Sequence, residues 1–312
     1  TAIDQENTNR VSQPGISANH AHTLLDSSLK NVIYSSYLQF RNDIMRWIAL
    51  IILFSSSAAL AQTKLYVFDC GSLSLEDISM FNLTAEETEV RELFVPCYLI
   101  EHEKGRLLWD GGLPKPYADA GQISLEGGSA TYENWIVDQL AAMGITPGDI
   151  SHAAYSHLHY DHAGAANYFL ESKVLMQKAE WEAAFGGESG AFVETEWFDK
   201  LKTADVEILE GDHDVFGDGS VKLIYTPGHT PGHQSLYVDL EATGPLILSG
   251  DLFHFRANRT LRRPPNFNAD AEQTLESMDK IEQLIKETGA TLWIEHDKAL
   301  ADSLNKAPAY YD

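Results

Sequence analysis

The sequence predicts an α/β fold. Two observations carry that expectation: short runs rich in β-branched and aromatic residues alternate with stretches whose apolar residues recur at helical spacing, and no linker-like break separates them between residues 62 and 312. The chain of 312 residues is long enough to build a real core. Its 44% hydrophobic and 22% charged residues, with 22 Gly and 11 Pro, exclude a collagen, a coiled coil and wholesale disorder.

Residues 1–44 begin without Met and show no sustained hydrophobic period, so they read as an upstream or disordered extension. Residues 45–61 read as a signal peptide: Met45-Arg46, an apolar run from Trp47 to Phe54, then small residues ending in Ala59-Leu60-Ala61. A membrane span needs roughly 20 apolar residues, so no stable membrane anchor is expected. Cleavage before Gln62 leaves residues 62–312 as a periplasmic or secreted domain.

Within that domain the first strand covers Lys64–Asp69, and the acidic, broken stretch 71–92 reads as a loop over a surface or site, with Met80, Phe81 and Leu83 in local packing. Phe94–Glu101 and Leu107–Trp109 form a hairpin about the Glu103-Lys104-Gly105 turn. Tyr132, Trp135, Ile136, Leu140 and Met143 keep helical spacing, and Gly144 ends that helix. Further strands are expected at Ile150–Tyr155, Lys173–Met176, Val206–Leu209, Val221–Tyr225, Ser235–Val238, Pro245–Leu248 and Thr291–Ile294. Short amphipathic helices fall at Ala179–Phe185 and Glu196–Lys202, and a long one at Asp270–Thr288 carries Ala271, Leu275, Met278, Ile281 and Ile285 on one stripe before Gly289.

Lys+Arg of 22 against Asp+Glu of 46 gives a net charge of −24, which repels a polyanion over most of the surface, so nucleic acid is excluded as a partner. The two cysteines, Cys70 and Cys97, are too few for a disulfide scaffold or a Cys-rich zinc cage. Export would permit them to bridge; two thiols packed in apolar strands is the alternative.

The densest chemical signal is Ser156-His157-Leu158-His159-Tyr160-Asp161-His162, three imidazoles and a carboxylate directly after an apolar strand. Neutral imidazoles and carboxylates are good ligands for zinc and similar divalent ions. In extended chain His157 and His159 project to one side and can hold one ion, while Asp161 and His162, past the bend, can serve a second. His229, Asp251 and His296 likewise follow the apolar runs Leu223–Tyr225, Leu246–Leu248 and Leu292–Ile294, so four strand ends deliver candidate ligands to one edge.

With His-x-His-x-Asp-His at 157–162, Thr226-Pro227-Gly228-His229-Thr230, Ser249-Gly250-Asp251, Asp110-Gly111-Gly112 and the late His296, the sequence resembles the metallo-β-lactamase superfamily over nearly all of residues 62–312. The resemblance implies an αββα sandwich, two mixed sheets flanked by helices with the metal site at the sandwich edge. It implies two divalent ions, zinc by expectation: one on His157, His159 and His229, the other on Asp161, His162 and His296, bridged by Asp251. Asp110 is then an ordering residue behind the ligands. Ser156–Gly164 and Gly228–Ser235 are most similar to the N-acyl homoserine lactonases, and Tyr66–Gly71 with Trp293–Asp297 to a secreted branch of them. Relatives that hydrolyse antibiotics usually carry Cys or Ser where this chain has Asp251.

The activity implied by this resemblance is that of a hydrolase opening a lactone ring, a quorum-quenching reaction, by attack of a hydroxide shared between two metals. Asp161 orients it and passes a proton to the leaving oxygen. Two positions depart from the pattern. The better-known lactonases have a Tyr that hydrogen-bonds the substrate carbonyl where this chain has His254, whose N–H offers a substitute donor. Their Asp-Thr-Gly is Asp110-Gly111-Gly112 here, without the hydroxyl. Among the other histidines, His233 reads as a supporting hydrogen-bond residue, His102 and His152 as packing or solvated, and His213 as a loop residue. Arg256, Arg259, Arg262 and Arg263 read as salt-bridge partners for the abundant acids. The alternatives are another esterase, thioesterase or phosphodiesterase on the same scaffold, or a non-catalytic zinc module. The scarcity of cations after His296 disfavours a glutathione thioester, and the cysteine-free ligand set disfavours the module.

Overall fold

The computed structural model describes residues 31–41, 62–187, 190 and 192–312. Residues 31–41 form a helix, α1, whose Val32, Ile33, Tyr34, Tyr37 and Phe40 are exposed. The expected signal peptide at 45–61 lies outside the described residues.

From residue 62 the chain alternates strands and helices. It begins with β1 (Lys64–Leu75), β2 (Glu92–His102) and β3 (Gly105–Trp109), followed by α2 (Lys115–Ala120), β4 (Gln122–Leu125), β5 (Gly128–Thr131) and α3 (Ile136–Ala142). Next come β6 (His152–Ala154), the one-turn α4 (Tyr160–Ala163), β7 (Lys173–Gln177), α5 (Lys178–Phe185), β8 (Val206–Leu209) and β9 (His213–Asp214). The last part holds β10 (Val221–Tyr225), β11 (Gln234–Val238), β12 (Leu246–Leu248), α6 (Arg256–Leu261), α7 (Ala271–Thr288), β13 (Thr291–Trp293), α8 (Lys298–Ser303) and β14 (Tyr310–Tyr311).

These strands make two mixed sheets. One runs β4-β5-β1-β2-β3-β6-β7-β8 with β14 also on β1, and the other runs β13-β12-β11-β10-β9. β3, β6, β7 and β8 are mutually parallel, as are β12 and β13. Strand alternation sorts the core into layers. Leu65, Val67, Ile100 and Leu107 of the first sheet meet Leu223, Leu236, Val238 and Leu248 of the second between the sheets. The opposite set on β1 and β2, with Tyr66, Phe68 and Leu99, packs with Ile136 and Leu140 of α3. On the far side of the second sheet Ile224, Tyr237 and Ile247 pack with Met278 and Ile281 of α7. The layer order is therefore α–β–β–α, as the resemblance implies.

Four local expectations are corrected. The helix expected from Tyr132 starts at Ile136, because the Tyr132 hydroxyl accepts the Ile136 N–H at 2.8 Å and so caps the helix from outside it. Glu196–Lys202 is two 3₁₀ turns, Thr195–Trp197 and Asp199–Thr203, broken where fully buried Phe198 anchors on Phe185. The loop expected from Gly71 begins later, since β1 continues past a bulge to Leu75 and pairs with β5. His213 lies on an edge strand opposite Leu223 rather than in a loop.

Cys70 and Cys97 are disulfide-bonded, with Cα atoms 5.8 Å apart on neighbouring β1 and β2. His102 stacks on Phe216, ring centroids 4.3 Å apart, and meets Asp218. All four arginines after Asp251 are ion-paired: Arg256 to Asp297, Arg259 to Glu282, Arg262 to Asp279 and Arg263 to Glu87.

Candidate metal centre

Every predicted ligand lies just beyond the C-terminal end of a strand. His157 and His159 follow β6, and Asp161 and His162 sit on α4, for which His159 is the N-cap. His229 follows β10, Asp251 follows β12 and His296 follows β13. All seven are buried and fall into two groups, His157, His159, His229 and Asp251 in one and Asp161, His162 and His296 in the other, each with its candidate ligand atoms within 4.8 Å of one another.

Asp251 joins the groups. Its Oδ2 is 3.3 Å from His229 Nε2 and 3.6 Å from His157 Nε2, while Oδ1 is 2.9 Å from His296 Nε2 and 3.3 Å from His162 Nε2. One carboxylate oxygen thus faces each set. Asp161 Oδ2 stands 3.7 Å from His162 Nε2 and 3.8 Å from His296 Nε2.

The ring nitrogens turned toward the centre are those free to bind a cation. His162 Nδ1 is 3.0 Å from Asp110 Oδ2, and His229 Nδ1 is 3.0 Å from Asn268 Oδ1. His296 Nδ1 donates to the Phe94 carbonyl at 2.7 Å, and His157 Nδ1 faces Ser156 Oγ at 3.0 Å. With Nδ1 so occupied, each of these rings presents Nε2. His159 presents Nδ1 instead, 3.2 Å from His229 Nε2, which is itself 3.1 Å from His157 Nε2. Tetrahedral zinc with bonds of about 2.0–2.1 Å sets its nitrogens roughly 3.3 Å apart, so the spacing fits a divalent ion. Two buried candidate ligand atoms are poorly satisfied among the described residues: His162 Nε2 makes no hydrogen bond, and Asp251 Oδ1, though 2.9 Å from His296 Nε2, makes no well-directed one, and a bound cation would engage both.

Charge within the cluster follows the same division. Burial, reinforced by neighbouring imidazoles, holds His157 and His159 well below the ordinary histidine range, so both are neutral. At His296 burial acts downward but the Asp251 carboxylate outweighs it and lifts the ring to about 9. Burial likewise opposes ionisation of Asp251, yet His254, His162 and His296 together keep it well below the usual carboxylate range. Cations would replace these protons in holding the carboxylates charged.

Asp110 is held behind the site as expected. It occupies the left-handed region (φ 57°), and its carboxylate accepts from Ser156 N at 2.6 Å and Ser156 Oγ at 2.9 Å besides facing His162. The following Gly112 (φ +63°) has no room for a side chain, since a Cβ would lie 2.3 Å from Cys70 Cβ. His233 supports the bridge: its Nε2 accepts the Asp251 N–H at 2.9 Å and its Nδ1 donates to the Thr226 carbonyl at 2.9 Å.

The centre opens into a cavity of about 130 Å³ whose walls include Leu73, Phe81, Leu125, Phe267, Asp161 and His254. Phe81 is packed as the sequence suggests, with His254 and Phe267 at ring-centroid distances of 5.0 and 5.5 Å, yet it and Met80 also line this cavity. His254 Nε2 is 3.0 Å from Asp251 Oδ2, and its Nδ1 is buried without a hydrogen-bond partner among the described residues. Sequence reasoning missed Asn268, the Phe94 carbonyl and Glu180. Glu180 carried one readable signal: it shares the inward stripe of α5 with Ala184, where a charge is out of place without partners.

The sequence profile of the metallo-β-lactamase superfamily matches residues 90–288. The chain is 32% identical over 266 residues to the N-acyl homoserine lactonase AttM of Azorhizobium caulinodans, covering 80% of this chain and 98% of that protein. It is 33% identical over 246 residues to an N-acyl homoserine lactonase of Bacillus sp, covering 75% and 93%. A solved N-acyl homoserine lactone hydrolase with N-hexanoyl-L-homoserine at its catalytic metal centre superposes with a TM-score of 0.68 at 30% identity, over 80% of this chain and 99% of that one. The dizinc lactonase AidC shares the fold at 16% identity and a TM-score of 0.61, over 81% of this chain and 95% of that one.

Proposed function

The chain belongs to the metallo-β-lactamase superfamily, and from that premise we propose that it is a metal-dependent hydrolase that opens the lactone ring of N-acyl homoserine lactones. The observation that carries the reading is the division of seven buried ligands into two sets that share Asp251, at the floor of a largely apolar cavity. A single structural ion would need neither the second set nor the opening.

His157, His159 and His229 would hold one divalent ion, Asp161, His162 and His296 the other, and Asp251 both; zinc suits the imidazole-rich donor set. Once bound, such a pair would supply Lewis-acid chemistry, acidifying a water and polarising an ester carbonyl. The protein's own groups supply the rest. Leu73, Phe81, Leu125 and Phe267 offer an apolar wall to an acyl chain and exclude water from it. His254 Nε2 lies 3.0 Å from Asp251 Oδ2; burial depresses its pKa to about 4, so the neutral ring has one N–H, directed at Asp251 here and open to a substrate oxygen once cations engage that carboxylate. Asp161 lines the same cavity, where its carboxylate can take a proton and return it to the ring oxygen as the ester C–O bond breaks.

The test is a panel assay. The purified zinc-loaded protein is offered N-acyl homoserine lactones of several chain lengths, a cephalosporin, a glutathione thioester and a phosphodiester. The lactones should be opened fastest, and faster turnover of any other class overturns the assignment.

The protein is also proposed to act outside the cytoplasm. The signal-like pattern at 45–61 and the Cys70–Cys97 bridge both support an oxidising compartment. Cell fractionation with N-terminal sequencing should find an exported chain starting at Gln62; an uncut cytoplasmic chain defeats the proposal.

A further inference from the structure

Glu180 lies on α5, an element that carries no ligand, and only 4% of it is exposed. Its Oε1 accepts from Leu158 N at 2.8 Å, while Oε2 accepts from Thr230 Oγ1 at 2.7 Å and Gly232 N at 2.9 Å. Leu158 is the residue between His157 and His159, and Thr230 directly follows His229. One carboxylate therefore ties together the two loops that bring His157, His159 and His229 to a common point. A buried carboxylate with three donors is a strong, directional link.

The fit is close on the loop side as well. A Cβ on Gly232 would lie 2.2 Å from Glu180 N and 2.3 Å from Glu180 Cβ, so the turn after His229 rests directly on the helix. The other ligand set is braced separately: His162 by Asp110 and His296 by the Phe94 carbonyl, with no hydrogen bond to Glu180.

We propose that Glu180 is the positioning residue of the His157–His159–His229 ion site, fixing the distance between its two loops and hence that site's affinity alone. The inference rests on the two-ion reading of the centre. Outer partners of metal ligands typically contribute 10–100-fold in metal affinity.

The experiment measures zinc content and affinity of the full chain by chelator competition, with cobalt absorption spectra as a second readout, for wild type, Glu180→Ala and Glu180→Gln. Wild type should hold two ions per chain. Glu180→Ala should keep one tightly and bind the other 10–100-fold more weakly. Glu180→Gln, which keeps the volume and some acceptor capacity, should fall between and carries the test if the alanine variant does not fold. Adding His229→Ala to the Glu180 variant should change little, whereas adding His296→Ala should remove the remaining tight ion. Unchanged affinity, or equal weakening of both ions, overturns the positioning role. A wild-type chain that never holds more than one ion overturns the two-ion reading beneath it, a result distinct from the other two.

Discussion

His254 Nε2 sits 3.0 Å from Asp251 Oδ2, while the ring packs against Phe81 and Phe267 and its other nitrogen is buried with no hydrogen-bond partner among the described residues. The ring is thus fixed by packing and points its one polar contact at Asp251, the candidate bridge between the two ligand sets. His254→Phe keeps that packing and removes the donor. It should lower kcat for a lactone by about 100-fold, the usual cost of losing one donor to a developing oxyanion, with two ions still bound. His254→Tyr should recover part of the loss. A fall in metal content matching the fall in rate would show instead that His254 acts by holding Asp251.

Stripping the metal should cost stability as well as activity. Without cations the centre keeps a buried His162 Nε2 with no hydrogen-bond partner among the described residues, and several imidazole nitrogens face one another at little more than 3 Å. Dialysis against a strong chelator should abolish turnover and lower the melting temperature by roughly 10 °C, the linkage expected for an ion present at about 1,000 times its Kd. Zinc should restore both. An apo protein that melts with the holo protein would mean that the ligand cluster is not a cation site.

The candidate ligands were legible because they are strand-end residues of strongly reactive types, and a strand of β-branched and aromatic residues announces where it ends. His157, Asp251 and His296 were singled out by the repetition of that context at separate strand ends and by the superfamily motifs around them. The supports were not legible for the converse reason. Asn268 reaches His229 across 39 residues and the Phe94 carbonyl reaches His296 across 202, and neither leaves a local pattern. The same distinction explains the helix after Tyr132. Helical spacing extends through Tyr132 and Trp135, but a side-chain hydroxyl that takes over the Ile136 N–H can be recognised only once the turn is built. Glu180 falls between the two cases, since its place on the buried stripe of α5 is a sequence signal whose meaning depends on donors in two other loops.

Leu125 lines the cavity at the β4–β5 turn, on a segment that carries no candidate metal ligand, so an acyl chain seated in the cavity would meet it. Leu125→Trp fills part of a space of about 130 Å³ without replacing a candidate ligand. The variant should lose about tenfold in kcat/KM on long-chain lactones, the scale of one or two methylene groups in a pocket, and little on short ones. A uniform loss across chain lengths would place the acyl chain elsewhere.

The Cys70–Cys97 bridge should matter more to stability than to chemistry. It spans 27 residues between β1 and β2, and closing a loop of that size is worth about 3.5 kcal/mol in the chain-entropy account. Gly112 packs against Cys70, so the bridge underlies the turn that aims Asp110. Asp110 is nevertheless fixed by its own bonds to Ser156 and by His162, none of which involves a cysteine. The paired Cys70→Ala, Cys97→Ala variant should therefore unfold at much lower urea concentration, by about 3–5 kcal/mol, yet keep most of its turnover under native conditions. Equal stability with and without the bridge would mean that strand pairing alone holds β1 to β2. A collapse of activity at full native population would mean that the Asp110 turn depends on the sulfurs beneath it.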